Sequence, residues 1–222
     1  MAFVHNTTLV PSKLDLLTGW LPDRPWYVPR PGGPALERVG GFRLDDPDGE
    51  VGIELMAAAD GGAGGTVYHL PLAYRGAPLP GAPDDALLGT SEHGVLGTRW
   101  IYDGSRDPVL LAALLGLLAG RARAQAQRIS DTPDPTVGVG TLAAAAVPEA
   151  PKESAAVDAS DTSHATLLAL AGGRTLRIER RLADGGQEGP GRVVAGFGGS
   201  GRGLYFSLVE ASSASAQADD DA

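Results

Sequence analysis

The sequence predicts an α+β protein, in which an antiparallel sheet packs on one long helix and a small β-rich subdomain of short hairpins follows. Residues 51–57 and 68–74 alternate apolar side chains with period two, which is typical of strands with one buried face. Turn-forming residues precede both segments and favour antiparallel hairpins. A segment that begins at Asp107 has the apolar spacing of an amphipathic helix.

Local signals define the remaining elements of the first part of the chain. Residues 11–18 predict a short helix that Gly19 stops, and residues 98–102 predict a further strand because they are β-branched and aromatic. Asp107 can cap the long helix and Pro108 suits its first turn. The apolar stripe of that helix consists of Leu111, Leu114, Leu115, Leu118 and Ala122.

Changes in composition predict four parts of the chain. Residues 1–129 hold the sheet and the long helix. Residues 130–163 contain four prolines, eight alanines and no aromatic residue, which predicts an acidic linker because too little apolar area can be buried to offset chain entropy. Residues 164–210 regain alternation around glycine-rich turns and predict four short strands without a helix. Residues 211–222 contain three consecutive aspartates at 219–221 and predict a disordered acidic tail.

Composition excludes several classes of protein. A chain of 222 residues with 43% hydrophobic content can build one sizeable core, or one core with a small companion. A net charge of -9 disfavours a nucleic-acid binder. The lack of cysteine excludes disulfides, thiolate nucleophiles and cysteine-ligated metals. We find no signal-like N-terminus and no apolar run that could cross a membrane, so we expect a cytoplasmic protein without a membrane partner.

The motifs that resemble catalytic or cofactor sites lack their required context. Residues 196–201 satisfy G-x-G-x-x-G, but a strand rather than a helix follows, which favours a hairpin turn. The four histidines lie too far apart for a metal-ligand pair. Asp46 and Asp48 suit a solvated turn better than a calcium loop, because Leu44 occupies the first ligand position. We therefore expect no catalytic residue, no cofactor and no metal site.

The aromatic segment, residues 20–27, is the strongest candidate for a binding surface. It holds Trp20, Arg24, Trp26 and Tyr27 on a chain stiffened by prolines, and such side chains can stack on a sugar or anchor a protein partner. Alternatively, Trp20 and Trp26 plug the sheet and a helix together.

Four segments together resemble the N-terminal cap domain of actinobacterial maltokinases and related aminosugar kinases. They read WLPDRPWY at 20–27, YHLPLAYR at 68–75, GTSEHGVLG at 89–97 and RWIYDGSRDP at 99–108. The resemblance covers residues 1 to about 129, and residues 164–210 are similar to the small strand-rich subdomain that follows the cap. We expect the kinase lobe of that family to be absent, because no segment of these 222 residues resembles it. Where its ATP-binding lysine would fall, the chain reads Arg177-Ile178-Glu179.

The resemblance implies a cystatin-like cap, in which a curved antiparallel sheet wraps a helix. It implies a non-catalytic regulatory or protein-interaction module in cytoplasmic maltose, trehalose or α-glucan metabolism. A protein partner is expected, either a sugar kinase or an α-glucan enzyme, and a carbohydrate is a second possible ligand. Two alternatives stay open: a divergent member or subunit of a maltokinase-type ATP-dependent sugar kinase, and a carbohydrate-binding module that uses residues 20–27.

Overall fold

Antiparallel strands make up most of the fold in the computed structural model, which describes residues 9–62, 64–127, 129, 131–150 and 156–210. The strands are β1 (Leu9–Val10), β2 (Leu36–Leu44), β3 (Gly52–Asp60), β4 (Thr66–Arg75), β5 (Leu87–His93), β6 (Gly97–Asp103), β7 (Gly138–Val139), β8 (Ser160–Asp161), β9 (Ala165–Leu170), β10 (Arg174–Glu179), β11 (Arg181–Leu182), β12 (Arg192–Phe197) and β13 (Gly201–Glu210). The α-helices are α1 (Lys13–Trp20) and α2 (Pro108–Leu118), and short 3-10 helices span Leu21–Asp23, Asp84–Ala86, Gly104–Arg106 and Ala144–Ala146. The class is α+β and mainly β.

The predicted hairpins of the first part are confirmed. β2 pairs antiparallel with β3 and β3 with β4, through the two turns that the sequence indicates. Asp46 stabilises the first turn, because its buried carboxylate accepts the backbone N–H groups of Asp48, Glu50 and Val51 at 2.9–3.1 Å. This carboxylate is therefore bound within its own turn, whereas the sequence predicts a solvated one.

Both helices begin where their capping residues stand, but neither ends where the sequence predicts. Ser12 and Asp15 form a capping box at the start of α1, which continues past Gly19 to Trp20. Asp107 caps α2 by accepting the N–H groups at positions 109 and 110. α2 spans 11 residues, so it is shorter than the predicted long helix. It ends before Gly120, whose φ of 68° is unsuited to a right-handed helix, and the predicted stripe residue Ala122 lies beyond it.

The central strands β3 and β4 are buried on both faces, whereas the sequence predicts one buried face. On one face, Ile53, Leu55 and Ala73 pack in the same core as the leucines of α2. On the other face, Met56 and Leu70 pack with residues of α1 and of the aromatic segment. Met56, Pro71 and Ala73 lie between the predicted apolar positions and are themselves apolar, as is typical of strands covered on two sides.

The C-terminal strands join the same sheet. The order of paired strands is β1-β5-β6-β4-β3-β2-β12-β13-β10-β9-β8, and β12 meets β2 where Phe197 faces Gly40. A Cβ atom at Gly40 would lie 2.7 Å from the carbonyl oxygen of Gly196, so this approach requires glycine. β10 runs on into β11, which pairs with β4. A strand from the C-terminal part of the chain thus pairs directly with a central strand of the first part.

The hairpins predicted after residue 164 are confirmed, and no helix lies between residues 164 and 210. Gly172 and Gly173 turn β9 into β10 with positive φ angles of 72° and 68°. Residues 196–201, the G-x-G-x-x-G match, form the β12–β13 hairpin turn. β11 adds a fifth strand to the four predicted.

The described part of the predicted linker lies against the fold. β7 pairs with β12, and Val147 is buried in the core that contains α2. The division of the chain into residues 1–129, a linker and residues 164–210 stays a prediction. The predicted tail, residues 211–222, lies outside the described residues. Within the described ranges, no helix is long and apolar enough to span a membrane.

Candidate functional site

The aromatic segment packs into the interior of the protein. Trp20 is 8% exposed and Trp26 is 1% exposed, and their ring centroids are 5.7 Å apart. Trp26 and the half-buried Tyr27 both contact Tyr68 of β4, at centroid distances of 5.9 Å and 6.0 Å. This burial supports the alternative in which the two tryptophans join a helix to the sheet.

Arg24 is held by intramolecular contacts. Its guanidinium lies 4.7 Å from the Trp20 ring centroid, and its Nη1 lies 3.0 Å from the Asp85 carboxylate. Trp20 Nε1 donates to the carbonyl oxygen of Asp85 at 2.6 Å. The four candidate binding residues thus lie together, as the sequence predicts. The rings of Trp20 and Trp26 are packed inside the protein rather than exposed at its surface. The proposed role of the four residues in binding stays a prediction.

Arg180 packs against the aromatic segment, although the sequence analysis does not single it out. Its side chain is fully buried, and its guanidinium lies 4.9 Å from the Trp26 ring centroid. Nη2 donates to Asp103 Oδ2 at 2.6 Å and to Ser105 Oγ at 2.9 Å, while Nε donates to Thr166 Oγ1 at 2.6 Å. A signal existed, because position 180 continues the buried period-two series of Leu176 and Ile178. This network joins the end of β6 to the C-terminal strands.

His69 lies beside the same network and remains neutral. Its ring is fully buried, with Nδ1 2.9 Å from the carbonyl oxygen of Glu179. Burial, followed by the positive charge of Arg180, lowers the pKa of His69 to about 3. A histidine with this pKa is neutral and only a weak base near neutral pH, so His69 is a core residue.

A cleft of about 350 Å³ lies next to the start of α1 and is here called the arginine cleft. Its charged and polar lining consists of Lys13, Arg43, Asp46, Glu50, Glu54, Tyr74, His93 and Arg99. Glu54 is buried at its centre and accepts hydrogen bonds from Lys13 Nζ at 2.6 Å, Tyr74 Oη at 2.6 Å and Gln127 Nε2 at 3.0 Å. Burial and the Glu54 carboxylate raise the pKa of Tyr74, so its hydroxyl stays protonated.

An exposed apolar edge, formed by Val10, Val95 and Leu96, lies beside this cleft. β1 is the outermost strand of its side of the sheet, and Val10 on it is 66% exposed. Val95 and Leu96, at the tip of the β5–β6 hairpin, are 64% and 46% exposed. His93 Nδ1 accepts the backbone N–H groups of both tip residues, which fixes the tip. Neither the edge nor the cleft is predicted by the sequence, because their residues come from separate elements.

Among the described residues, no three histidines, aspartates or glutamates come together in a way that could hold a metal ion. The buried carboxylates have structural partners instead. Asp103 binds Arg180, Asp107 binds Arg75, and Asp60 binds Arg30.

The fold is thus that of a mainly antiparallel α+β protein whose aromatic segment is built into its sheet. Residues 20–107 match the family model described as the maltokinase N-terminal cap domain. This part of the chain, about two fifths of its length, is therefore similar to a maltokinase N-terminal cap domain, as the resemblance implied. The match begins at Trp20, includes β2–β6 and stops at the capping residue of α2. No curated protein matches the sequence significantly.

Proposed function

We propose that the protein is a non-catalytic, cap-like regulatory module that binds another protein in cytoplasmic maltose, trehalose or α-glucan metabolism. The partner we expect is a sugar kinase of the maltokinase type, with an α-glucan enzyme as the next choice. The match of residues 20–107 to a kinase cap supports this role. We also infer that the sheet and α2 correspond to the cystatin-like arrangement that the resemblance implies.

The observation that carries the proposal is the exposed apolar edge. Single exposed apolar side chains are common, but three at one edge favour a contact surface. Burying Val10, Val95 and Leu96 against a partner would stabilise the complex, because their apolar surface is exposed to water in the free protein. The hydrogen bonds of His93 hold the tip in place, so little conformational entropy would be lost on binding.

The proposal is tested by titrating the full chain with a maltokinase-type kinase and, separately, with an α-glucan enzyme in a calorimeter. We expect one of them to bind, and the double variant Val95→Asp with Leu96→Asp to bind at least tenfold more weakly. Ile129→Asp is the matched control, because Ile129 is 60% exposed and does not belong to the edge. Failure of both enzymes to bind, or equal affinity for the double variant and the control, would contradict the proposal.

The enzyme alternative has its own assay. We expect the purified chain not to transfer phosphate from ATP to maltose, trehalose or glucosamine. Phosphoryl transfer requires bound metal and a cation on the phosphates, and the sequence holds only Lys13 and Lys152. Lys13 is bound to Glu54 in the arginine cleft. Sugar-dependent release of ADP that is lost in a Lys13→Met variant would instead support a divergent kinase.

The carbohydrate-binding alternative relies on Trp20 and Trp26. Stacking on a sugar requires an exposed ring face, and these rings are 8% and 1% exposed. A direct titration with maltose and with glucan, read by tryptophan fluorescence, is expected to give no saturable change.

A further inference from the structure

We propose that the arginine cleft binds a small organic anion, a phosphate monoester or a carboxylate, between Arg43 and Arg99. The proposal does not depend on the protein partner inferred above. It follows from the floor of the cleft, from its charges, and from the hydrogen-bonding groups that stay unused within the described residues.

Four adjacent strands form the floor of the cleft. Arg43 lies on β2, Gly52 and Glu54 on β3, Tyr74 on β4 and Arg99 on β6, and these strands are neighbours in the order β6-β4-β3-β2. Pairing places Arg43 opposite Glu54 and Gly52 opposite Tyr74. The two arginines therefore stand on opposite sides of the floor. Gly52 has no side chain of its own, and the Tyr74 side chain lies against it: a Cβ atom at Gly52 would be 3.3 Å from Tyr74 Cβ.

The acidic residues of the cleft leave both arginines without a carboxylate partner. Glu54 is already neutralised by Lys13, with Nζ–Oε2 at 2.6 Å. Asp46 is occupied by the backbone N–H groups of its own turn, and Glu50 is exposed at the rim. No salt bridge joins Arg43 or Arg99 to an acidic residue within the described ranges. The lining holds three cations and three carboxylates, and Arg43 and Arg99 are the two cations among them that lie in no described ion pair.

Each of these guanidiniums also has a buried N–H group without an acceptor. Arg43 Nε donates to the carbonyl oxygen of Ala126 at 3.2 Å, but its Nη2 is buried and has no partner in the described part of the chain. Arg99 Nε is likewise buried and unpartnered. A Cβ atom at Gly76 would lie 2.6 Å from Arg99 Nη1, so this glycine makes room for the guanidinium. A guanidinium without a carboxylate partner can bind an oxyanion through charge-assisted hydrogen bonds from its remaining N–H groups.

The size and the walls of the cleft favour an organic anion over a bare inorganic ion. A volume of about 350 Å³ is at the lower end of small-ligand sites. Leu9 and Leu96 add an apolar wall, and the neutral Tyr74 hydroxyl, held by Glu54, lies on the floor. A compact ligand with one oxyanion and an apolar body fits this combination.

The test is a calorimetric titration of the full chain with phenyl phosphate, benzoate and inorganic phosphate. We expect saturable binding of phenyl phosphate or benzoate, and the stronger of the two identifies the anion as a phosphate monoester or a carboxylate. Inorganic phosphate should bind more weakly than the stronger organic anion, because it lacks the apolar body. Rising chloride concentration should weaken binding, since the contact is between charges.

Variants then locate the site. Arg99→Gln and Arg43→Gln should each weaken binding at least tenfold, while Arg192→Gln, at an exposed arginine of β12, should leave it unchanged. Arg99→Lys should lose part of the affinity, because it keeps the charge but not the planar fork. The side chain of Arg99 makes no hydrogen bond with another described residue, so variants at Arg99 should keep the wild-type melting temperature even if Arg43→Gln lowers it. If none of the anions binds, or if the Arg99 and Arg192 variants bind equally well, the proposal is wrong.

Discussion

Replacing Arg180 by methionine should destabilise the fold by about 3–5 kcal/mol, the usual effect of removing one partner from a buried ion pair. The change removes hydrogen bonds to Asp103, Ser105 and Thr166 and the contact with the Trp26 ring. It also leaves the Asp103 carboxylate, whose side chain is 5% exposed, without its counter-charge. Domains of ordinary stability unfold with about 5–15 kcal/mol, so the loss would be a large fraction of the whole.

The assay is urea unfolding at neutral pH, followed by tryptophan fluorescence and by far-ultraviolet circular dichroism. Arg192→Met is the matched control and should change the free energy of unfolding by less than about 0.5 kcal/mol, because Arg192 is exposed. Combining Arg180→Met with Asp103→Asn should cost less than the sum of the two single changes, since the unpaired charge is then absent.

The same experiment tests whether the C-terminal strands unfold together with residues 1–129 as one cooperative unit. All three tryptophans lie in residues 1–129, whereas circular dichroism reports on the strands of both parts. If Arg180 joins the two parts into one cooperative unit, both signals should change in one transition. A loss below about 1 kcal/mol in Arg180→Met, or two separate transitions in the wild type, would refute the role that we assign to the Arg180–Asp103 pair.

Further predictions concern single residues and the connecting segment. Trp26→Ala should cost about 3–5 kcal/mol in thermal or urea unfolding, because Trp26 is 1% exposed; a loss of only a few tenths would show that it lies at the surface. The pKa of His69 is about 3 in the folded protein and lies near 6.5 in an unfolded chain, so the unfolded state binds the extra proton. Stability should therefore fall as pH drops from about 6.5 toward 3, by up to about 1.4 kcal/mol per pH unit, and His69→Gln should reduce that slope. Asp107→Ala should cost more than about 2 kcal/mol, whereas Asp107→Asn keeps the helix cap and should lose only the ion pair with Arg75. Brief proteolysis should cut within residues 130–163 on compositional grounds, and the fragments should co-elute in gel filtration because their strands share one sheet.

Local signals were sufficient for most of the elements. Turn residues at 45–49 and at 172–173, alternation in β3, β4 and β10, and the Asp107-Pro108 start of α2 each lie within a few neighbouring positions. Hairpins and helix caps depend on such short-range geometry, so the sequence predicts them well. The ends of the helices were predicted less well. α2 stops at Leu118 although apolar residues continue, and the conformation of Gly120 ends it.

Burial was the main feature that the sequence left undecided. The alternation in β3 predicts that one face is covered, but Glu54 and Met56 on the other face are buried as well. A chain segment cannot specify which distant segment will cover it. Trp20 and Trp26 show the same limit, because a proline-stiffened aromatic run suits an exposed surface and an internal plug equally well.

The sequence by itself determined the class of the fold, its hairpins, the starts of its helices and the maltokinase cap resemblance. These depend on residue types at fixed short spacings. The tertiary structure alone decided that Arg180 pairs with Asp103 beneath Trp26, and that Arg43, Tyr74 and Arg99 line one cleft across four strands. The physical reason is that both arrangements join residues tens of positions apart. Their energies depend on desolvation and charge pairing, which arise only once the strands are side by side.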